Sequence, residues 1–432
     1  MSTLLAENRV VDITTDEELL PSNRNMAERE DWFQNQALGM FIHWGLDCLL
    51  GTVPSHWMIG ADDRLVKRLI QEVPGWFNPV AFDPGHWATL AQRSGMRYAS
   101  FSAKHHSGFC MFHTRSNRFN VGYTPYREDI TGQYVSAFRE KGIAPGLYFS
   151  PLDFYWCHQQ GKELQFMAQE VVPGHNPGLM DYNLLQIREL MTNYGPIDTL
   201  FLDGPPEQVR ELAWQLQPEV VISRGAMKTP EQAVPDQKLD GAWEACFTIG
   251  DGWSYKPTHD TVKSGTELIE LLIRIRALGG NLLLNVTPDP EGRIPADQER
   301  VLQELGTWIF FNDEAVYDVR PWHVHHDEGV WYTRSRNSDT VYAYVTGESW
   351  PYGHFGRKQI CLCGVAATDD SQVEMVGQNG RILEHAENAD VKTRWTQTDD
   401  GLLIDAMRCY RPYDNRKWPN PVVFRITHAA KV

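Results

Sequence analysis

The chain has 432 residues, a formal charge of −16 and the apolar and charged fractions of an ordinary globular protein. That length exceeds one ordinary domain and suits a barrel with a smaller companion. Net acidity without a Lys/Arg-rich run argues against nucleic acid or an anionic membrane as partner. Seven scattered Cys with no C-x-x-C pair argue against a zinc site or a disulfide framework. The first twenty residues lack a basic start followed by a long apolar core, so no signal peptide or membrane span is read and a cytoplasmic location is expected. Fifteen Trp is a high count. A flat indole covers the C–H face of a pyranose, although core burial is the commoner fate of any single Trp.

In chain order, short apolar runs alternate with amphipathic stretches over three quarters of the sequence. The expected strands are Leu38–His43, Arg97–Ala103, Gly146–Ser150, Thr199–Asp203, Val220–Arg224, Leu239–Glu244 and Asn281–Val286. They are apolar on both faces, as buried parallel strands are. Between them, Asp83-Pro84 opens a helix closed by Gly95, and Ile130, Tyr134 and Phe138 recur at helical spacing before Gly142. Val209, Leu212 and Leu216 do so before Pro218, and Ser264-x-x-Glu267 is a capping box ahead of a helix that stops at Gly279. The expected fold is a (β/α)8-like, TIM-type barrel over residues 1–325, with seven of its strands recognisable, and no dinucleotide fingerprint follows the early strands. After Trp322 the helices cease. Val330–Ser335, Thr340–Thr346, Gln359–Cys363, Gln372–Val376, Val391–Thr396, Leu402–Ala406 and Val422–Thr427 read as an antiparallel β-sandwich over residues 326–432.

Barrel enzymes carry their reactive groups at the C-terminal ends of the strands. Those ends hold His43, His105, His106, Tyr148, Ser150, Asp203, Arg224, Glu244 and Asn285. Taken singly, a His after a strand is usually structural and an Asp before Gly is usually a turn former. Taken together, they suit sugar hydroxyls and proton transfer. Hydrolysing a glycosidic bond needs two carboxyl groups, one to protonate the leaving oxygen and one to attack or to activate water. Asp203, with His and Arg groups nearby, suits an ionised nucleophile. Glu244, in the apolar Trp243-Glu244-Ala245-Cys246 run, suits a general acid. Asp251, Asp240 and Glu207 read as turn or surface residues. A rival reading makes His43, His105, His106 and Asp203 metal ligands, but adjacent residues on an extended segment point apart, which makes His105-His106 a poor chelate.

Several of these segments resemble the α-L-fucosidases of glycoside hydrolase family 29. Gly39-Met40-Phe41-Ile42-His43-Trp44-Gly45 is similar to the family's first-strand motif. Ala103-Lys104-His105-His106-Ser107-Gly108-Phe109 resembles its paired-His segment, with Ser107 where Asp is common. Gly146–Ser150 resembles its third strand, Phe201-Leu202-Asp203-Gly204 its nucleophile strand, and Gly279–Val286 with Asn312–Tyr317 its last barrel strand and helix. The resemblance implies a retaining double displacement on fucosylated oligosaccharides or glycoconjugates, without metal or organic cofactor, and association with copies of itself. It makes Asp203 the nucleophile and Glu244 the acid/base, and gives His43, His105, His106, Tyr148 and Arg224 to the sugar or to orienting Asp203. Trp57 and Trp253 count as further substrate-binding residues. His56 stands where many members have Glu, and Phe201 where many have Trp, both in the expected sugar pocket. These departures leave an α-L-galactoside preference open, and a non-catalytic carbohydrate-binding protein is the remaining alternative.

Overall fold

The computed structural model describes residues 23–54, 57–165, 168–258, 260–347, 350–353, 357–411 and 420–432. Its first part is a curled parallel sheet of seven strands: β1 Leu38–Ile42, β2 Tyr98–Lys104, β3 Ala144–Phe149, β4 Thr199–Leu202, β5 Val221–Ile222, β6 Glu244–Thr248 and β7 Asn281–Val286. The spatial order is β5-β4-β3-β2-β1-β7-β6. Helices Pro84–Arg93, Ile130–Glu140, Pro177–Asn193, Glu207–Leu216 and Gly265–Ala277 cross from one strand to the next. Their starts follow the expected chemistry. Asp83 and Asp129 cap with their carboxylates, and Ser264 and Glu267 form the reciprocal capping box.

Period-two alternation divides the strands between two clusters. Leu38, Met40 and Ile42, Leu147 and Phe149, Leu200 and Leu202, and Leu282 and Leu284 pack with the helices in the larger one. Phe41, Tyr98, Tyr148, Phe201, Cys246 and Leu283 form the smaller one, inside the curl. Gly39 is in phase with Phe41, and a Cβ there would lie 2.5 Å from the Tyr98 ring, so the ring fills the space that a side chain would take. Extending the inward phase past each strand's end carries His43 and Asp203 to the rim of the curl. The two sequence-adjacent ends of the sheet, β5 and β6, do not pair. Residues 228–232 run beside β6 instead, through parallel bridges Lys228↔Trp243 and Glu231↔Cys246. Pro230 interrupts that stretch and Pro235 follows it, and proline supplies no ladder donor, so no regular eighth strand forms among the described residues.

Six of the seven expected strands of this sheet lie where the sequence puts them. The sixth is displaced: the expected Leu239–Glu244 strand gives way to one that begins at Glu244. Asp240-Gly241 is a turn, with Gly241 at φ +78°, so the apolar run after it, not the one containing it, is extended.

The long helix Ala296–Val316 leads into two antiparallel sheets. One has the order β12-β15-β10-β9-β8 and the other β11-β14-β13. All seven expected strands are present, as β9 Val330–Ser335, β10 Val341–Val345, β11 Lys358–Leu362, β12 Val373–Met375, β13 Arg394–Thr398, β14 Gly401–Ala406 and β15 Val422–Ile426. One more, β8 Val319–Asp327, precedes them and crosses the boundary expected near residue 325. Arg276 binds this region to the curled sheet. It is 2 % exposed and donates to the carbonyls of Gln34, Gly280, Val316 and Val319 and to Asn281 Oδ1. No helix of the described residues is long and apolar enough to cross a membrane.

Candidate active site

Asp203 follows β4 directly, and its N–H donates to Phe149 O at 3.1 Å, which fixes it against β3. Its carboxylate has three neighbours. Tyr148 donates its hydroxyl to Oδ2 at 2.6 Å, Arg224 donates Nη1–H to Oδ1 at 3.0 Å, and His106 Nε2 stands 3.4 Å from Oδ2. Burial alone would raise the carboxyl pKa. The charges of His106, Arg224 and His105 and the Tyr148 hydrogen bond outweigh it and hold Asp203 well below the usual carboxylate range. The side chain is 24 % exposed, so an ionised oxygen is presented to an incoming ligand.

The groups around it are themselves held. His106 Nδ1 meets Ser150 Oγ at 2.5 Å, and His106 N–H donates to His105 Nδ1 at 2.9 Å. His43 Nδ1 lies 2.7 Å from Asn285 Oδ1. Asn285 spends its amide N–H on Trp253 O at 3.1 Å, so Oδ1 accepts and the proton sits on His43 Nδ1. Burial pushes the His43 pKa down to about 4, against the Asn285 bond and the charge of Asp203. His43 is therefore a neutral imidazole whose Nε2 accepts, as a sugar hydroxyl requires. Trp253 lies 5.2 Å from His43, centroid to centroid, on a loop tied down by the Ser254–Asp47 hydrogen bond. Beneath the paired histidines, Lys104 and Asp153 form a wholly buried ion pair at 3.2 Å, with Asn183 Oδ1 at 2.9 Å from the same ammonium. Asp153 also caps helix Phe154–Gln159 through Trp156 N–H, so the pair fixes the loops after β2 and β3 together.

A second carboxylate meets Asp203 across one guanidinium. Arg224 Nη2 stands 2.9 Å from Glu231 Oε2 while Nη1 holds Asp203. Arg224 lies over the Phe201 ring at 4.7 Å and donates to Thr229 O and Oγ1, so it spans the gap between β5 and the 228–232 segment. Glu231 is 28 % exposed. Thr229-Pro230-Glu231-Gln232 has the composition of a surface turn, which hides Glu231 in the sequence. The available signal was an acid seven residues after the Arg that follows β5, in the one crossover without a helix among the described residues.

Glu244 does not join this group. It opens β6 opposite Asn281, the first residue of β7, while Thr248 at the other end pairs with Asn285. Four residues of strand, about 13 Å at 3.3 Å each, separate it from the rim. It is 1 % exposed, and Tyr98 donates its hydroxyl to Oε2 at 2.7 Å. Burial raises its pKa, as expected for an apolar setting, but at the floor of the curl rather than at its mouth. The displaced strand is what puts Glu244 at the floor instead of at the expected rim. Phe201 is 2 % exposed and stacks beneath Tyr148 at 5.6 Å, so it supports Arg224 and Tyr148 instead of lining a sugar pocket. Trp57 packs on the larger hydrophobic cluster. His56 lies outside the described residues. The structure thus brings together His43, His105, His106, Tyr148, Asp203, Arg224 and Trp253, and adds Glu231.

One ligand atom from each of His105, His106 and Asp203 lies within 4.8 Å of the others, as a metal site would require. His43, the fourth ligand of that reading, is instead turned to Asn285. Both Asp203 oxygens already accept from Arg224 and Tyr148, and a fixed guanidinium 3.0 Å away opposes a further cation. The donor set fits an anionic nucleophile better than a divalent ion.

A carboxylate ionised by Arg and His, a partner carboxyl across one guanidinium and the neutral His43 imidazole at the strand rim are the equipment of a glycoside hydrolase. Residues 8–314 match the family model described as α-L-fucosidase, and the chain belongs to that family, glycoside hydrolase family 29. It is 29 % identical to the tissue α-L-fucosidase of Mus musculus over 426 residues, covering 86 % of each chain. It is 26 % identical to an α-L-fucosidase of Dictyostelium discoideum, over 73 % of this chain and 77 % of that one. Among solved structures, α-L-fucosidase isoenzyme 1 from Paenibacillus thiaminolyticus superposes with a TM-score of 0.72 at 25 % identity, over 93 % of this chain and 98 % of that one. A family 29 α-L-fucosidase from Bacteroides thetaiotaomicron, solved as a trapped covalent intermediate with 2-fluoro-fucosyl fluoride, shares the fold. Its TM-score is 0.72 at 21 % identity, over 94 % of this chain and 97 % of that one.

Proposed function

We propose that the protein is an exo-acting, retaining α-L-fucosidase in which Asp203 is the nucleophile and Glu231 the acid/base. The sheet and helices then serve as an imperfect (β/α)8 barrel, and the antiparallel sheets as a covering sandwich. One observation carries the reading: two partly exposed carboxylates share the Arg224 guanidinium at 3.0 and 2.9 Å. One guanidinium between them keeps the two carboxyls near each other, as a retaining mechanism needs.

In the first half-reaction an Asp203 oxygen attacks the anomeric carbon. The glycosidic C–O bond breaks, and Glu231 delivers its proton to the leaving oxygen. In the second, Glu231 takes a proton from water, and the water oxygen displaces Asp203 from the anomeric carbon. Asp203 is stabilised as the anion, which suits it to attack and leaves the acid's part to Glu231. Arg224 balances charge throughout. It faces the Asp203 anion at the start, and the Glu231 anion once Asp203 is esterified. His43 Nε2 accepts from a sugar hydroxyl, and Trp253 offers a ring face to the sugar's C–H side.

The test is Asp203→Ala assayed on nitrophenyl α-L-fucoside with and without azide. The expected result is loss of turnover, rescued by azide with formation of the inverted glycosyl azide. A folded variant giving neither rescue nor that product would overturn the nucleophile assignment. Parallel kcat/KM values on α-L-fucoside and α-L-galactoside decide the sugar, and a higher value for the galactoside would refute the fucosidase reading.

A further inference from the structure

At the opposite face from the active site, where β6 and β7 begin, the protein carries a cleft of about 320 Å³ lined by Lys238, Arg320, Arg334 and Arg336, with Gly241 and Gly279 at its wall. No carboxylate lines it among the described residues. In a chain of net charge −16, four cations converging on one cleft run against the overall composition.

Their arrangement is costly as it stands. Arg320 on β8 and Arg334 on β9 are directly opposite in the antiparallel ladder, where like charges repel. The neighbouring Asp31 is divided between two of the four, with Oδ1 at 2.7 Å from Arg320 and Oδ2 at 2.5 Å from Arg336. Among the described residues the Arg334 guanidinium donates only to Ser335 O at 3.4 Å, and neither it nor Lys238 meets a carboxylate. Among the described residues one carboxylate pairs with these four cations. A tetrahedral oxyanion would relieve this, because guanidinium forks match its oxygens in pairs. The cleft has the volume of a small-ligand site and exceeds what one inorganic ion needs.

We propose that this cleft binds a phosphate or sulfate group, free or borne on a saccharide, at a site separate from the catalytic carboxylates. The full chain is titrated calorimetrically with sodium sulfate, sodium phosphate and galactose 6-sulfate, ionic strength being held with sodium chloride. Saturable binding of at least one of the three is expected, weakened at least tenfold in Lys238→Ala/Arg334→Ala, with fucoside kcat/KM within twofold of the parent. Tighter binding of the sulfated sugar than of free sulfate identifies the esterified source, and equal or weaker binding identifies the free anion. Binding no greater than that of chloride, or binding unchanged in the double variant, would overturn the proposal. Should the double variant not fold, Arg334→Gln keeps the side chain's stem and removes its charge, with the same expected loss.

Discussion

Replacing Glu231 and Glu244 in parallel separates the two carboxyl groups that compete for the acid/base role. Glu231→Ala removes the carboxyl that shares Arg224 with Asp203, while Glu244→Gln alters one at the floor, 1 % exposed and bonded to Tyr98. A positioned general acid contributes roughly 10²–10⁴ in rate, or about 2.7–5.4 kcal/mol at 1.36 kcal/mol per decade. That contribution is made only where the leaving oxygen needs a proton. Steady-state kcat/KM is therefore measured across aryl α-L-fucosides of graded leaving-group acidity. Glu231→Ala is expected to lose about 10²–10⁴ on the poorest leaving group and little on the best. Azide should speed its turnover and give the azide of retained configuration, since Asp203 still forms the glycosyl-enzyme. Glu244→Gln is expected to keep the parent's leaving-group dependence. A uniform loss in Glu231→Ala, or a leaving-group-dependent loss in Glu244→Gln, would refute the reasoning.

Lys104→Met leaves the wholly buried Asp153 carboxylate without its cation and should cost about 3–5 kcal/mol in urea unfolding. A cost under 1 kcal/mol would contradict it. Asp47 is buried, and burial pushes its pKa up to about 6 against a reference of 3.8, so the folded state holds its proton longer than the unfolded state does. Stability from this group falls as pH rises from about 4 to 6, and Asp47→Asn should therefore gain up to about 3 kcal/mol at pH 7.5, with the gain vanishing toward pH 4. Thermal melts at the two pH values check this, and a loss at pH 7.5 would count against it. His43 has the opposite sign. Its folded pKa of about 4 lies below 6.5, so its contribution is full above pH 6.5 and is lost as pH falls toward 4, by about 3 kcal/mol. His43→Gln should flatten that part of the stability profile in urea titrations at pH 7 and 4.5, and an unchanged slope would refute the neutral imidazole.

Local chemistry made much of this protein legible before any folding. Helix starts at Asp83 and Ser264 are written in adjacent residues, and the alternation of strand and helix follows from hydrophobic period. Asp203 and its His, Tyr and Arg companions were readable because each lies at or just past the end of an apolar strand, and parallel strands bring their ends to one rim. The partner carboxyl was not readable in the same way. Period two assigns a residue to a face only once the strand's ends are known, and the displaced sixth strand moved Glu244 from the rim to the floor. Glu231 sits on a segment with no regular secondary structure, and only pairing with β6 across the gap beside β5 brings it to Arg224. The sequence by itself determined which residues can ionise, cap and pack. Which two carboxylates share a guanidinium, and which four cations share a cleft, depends on contacts between distant segments, and only the tertiary structure decided it.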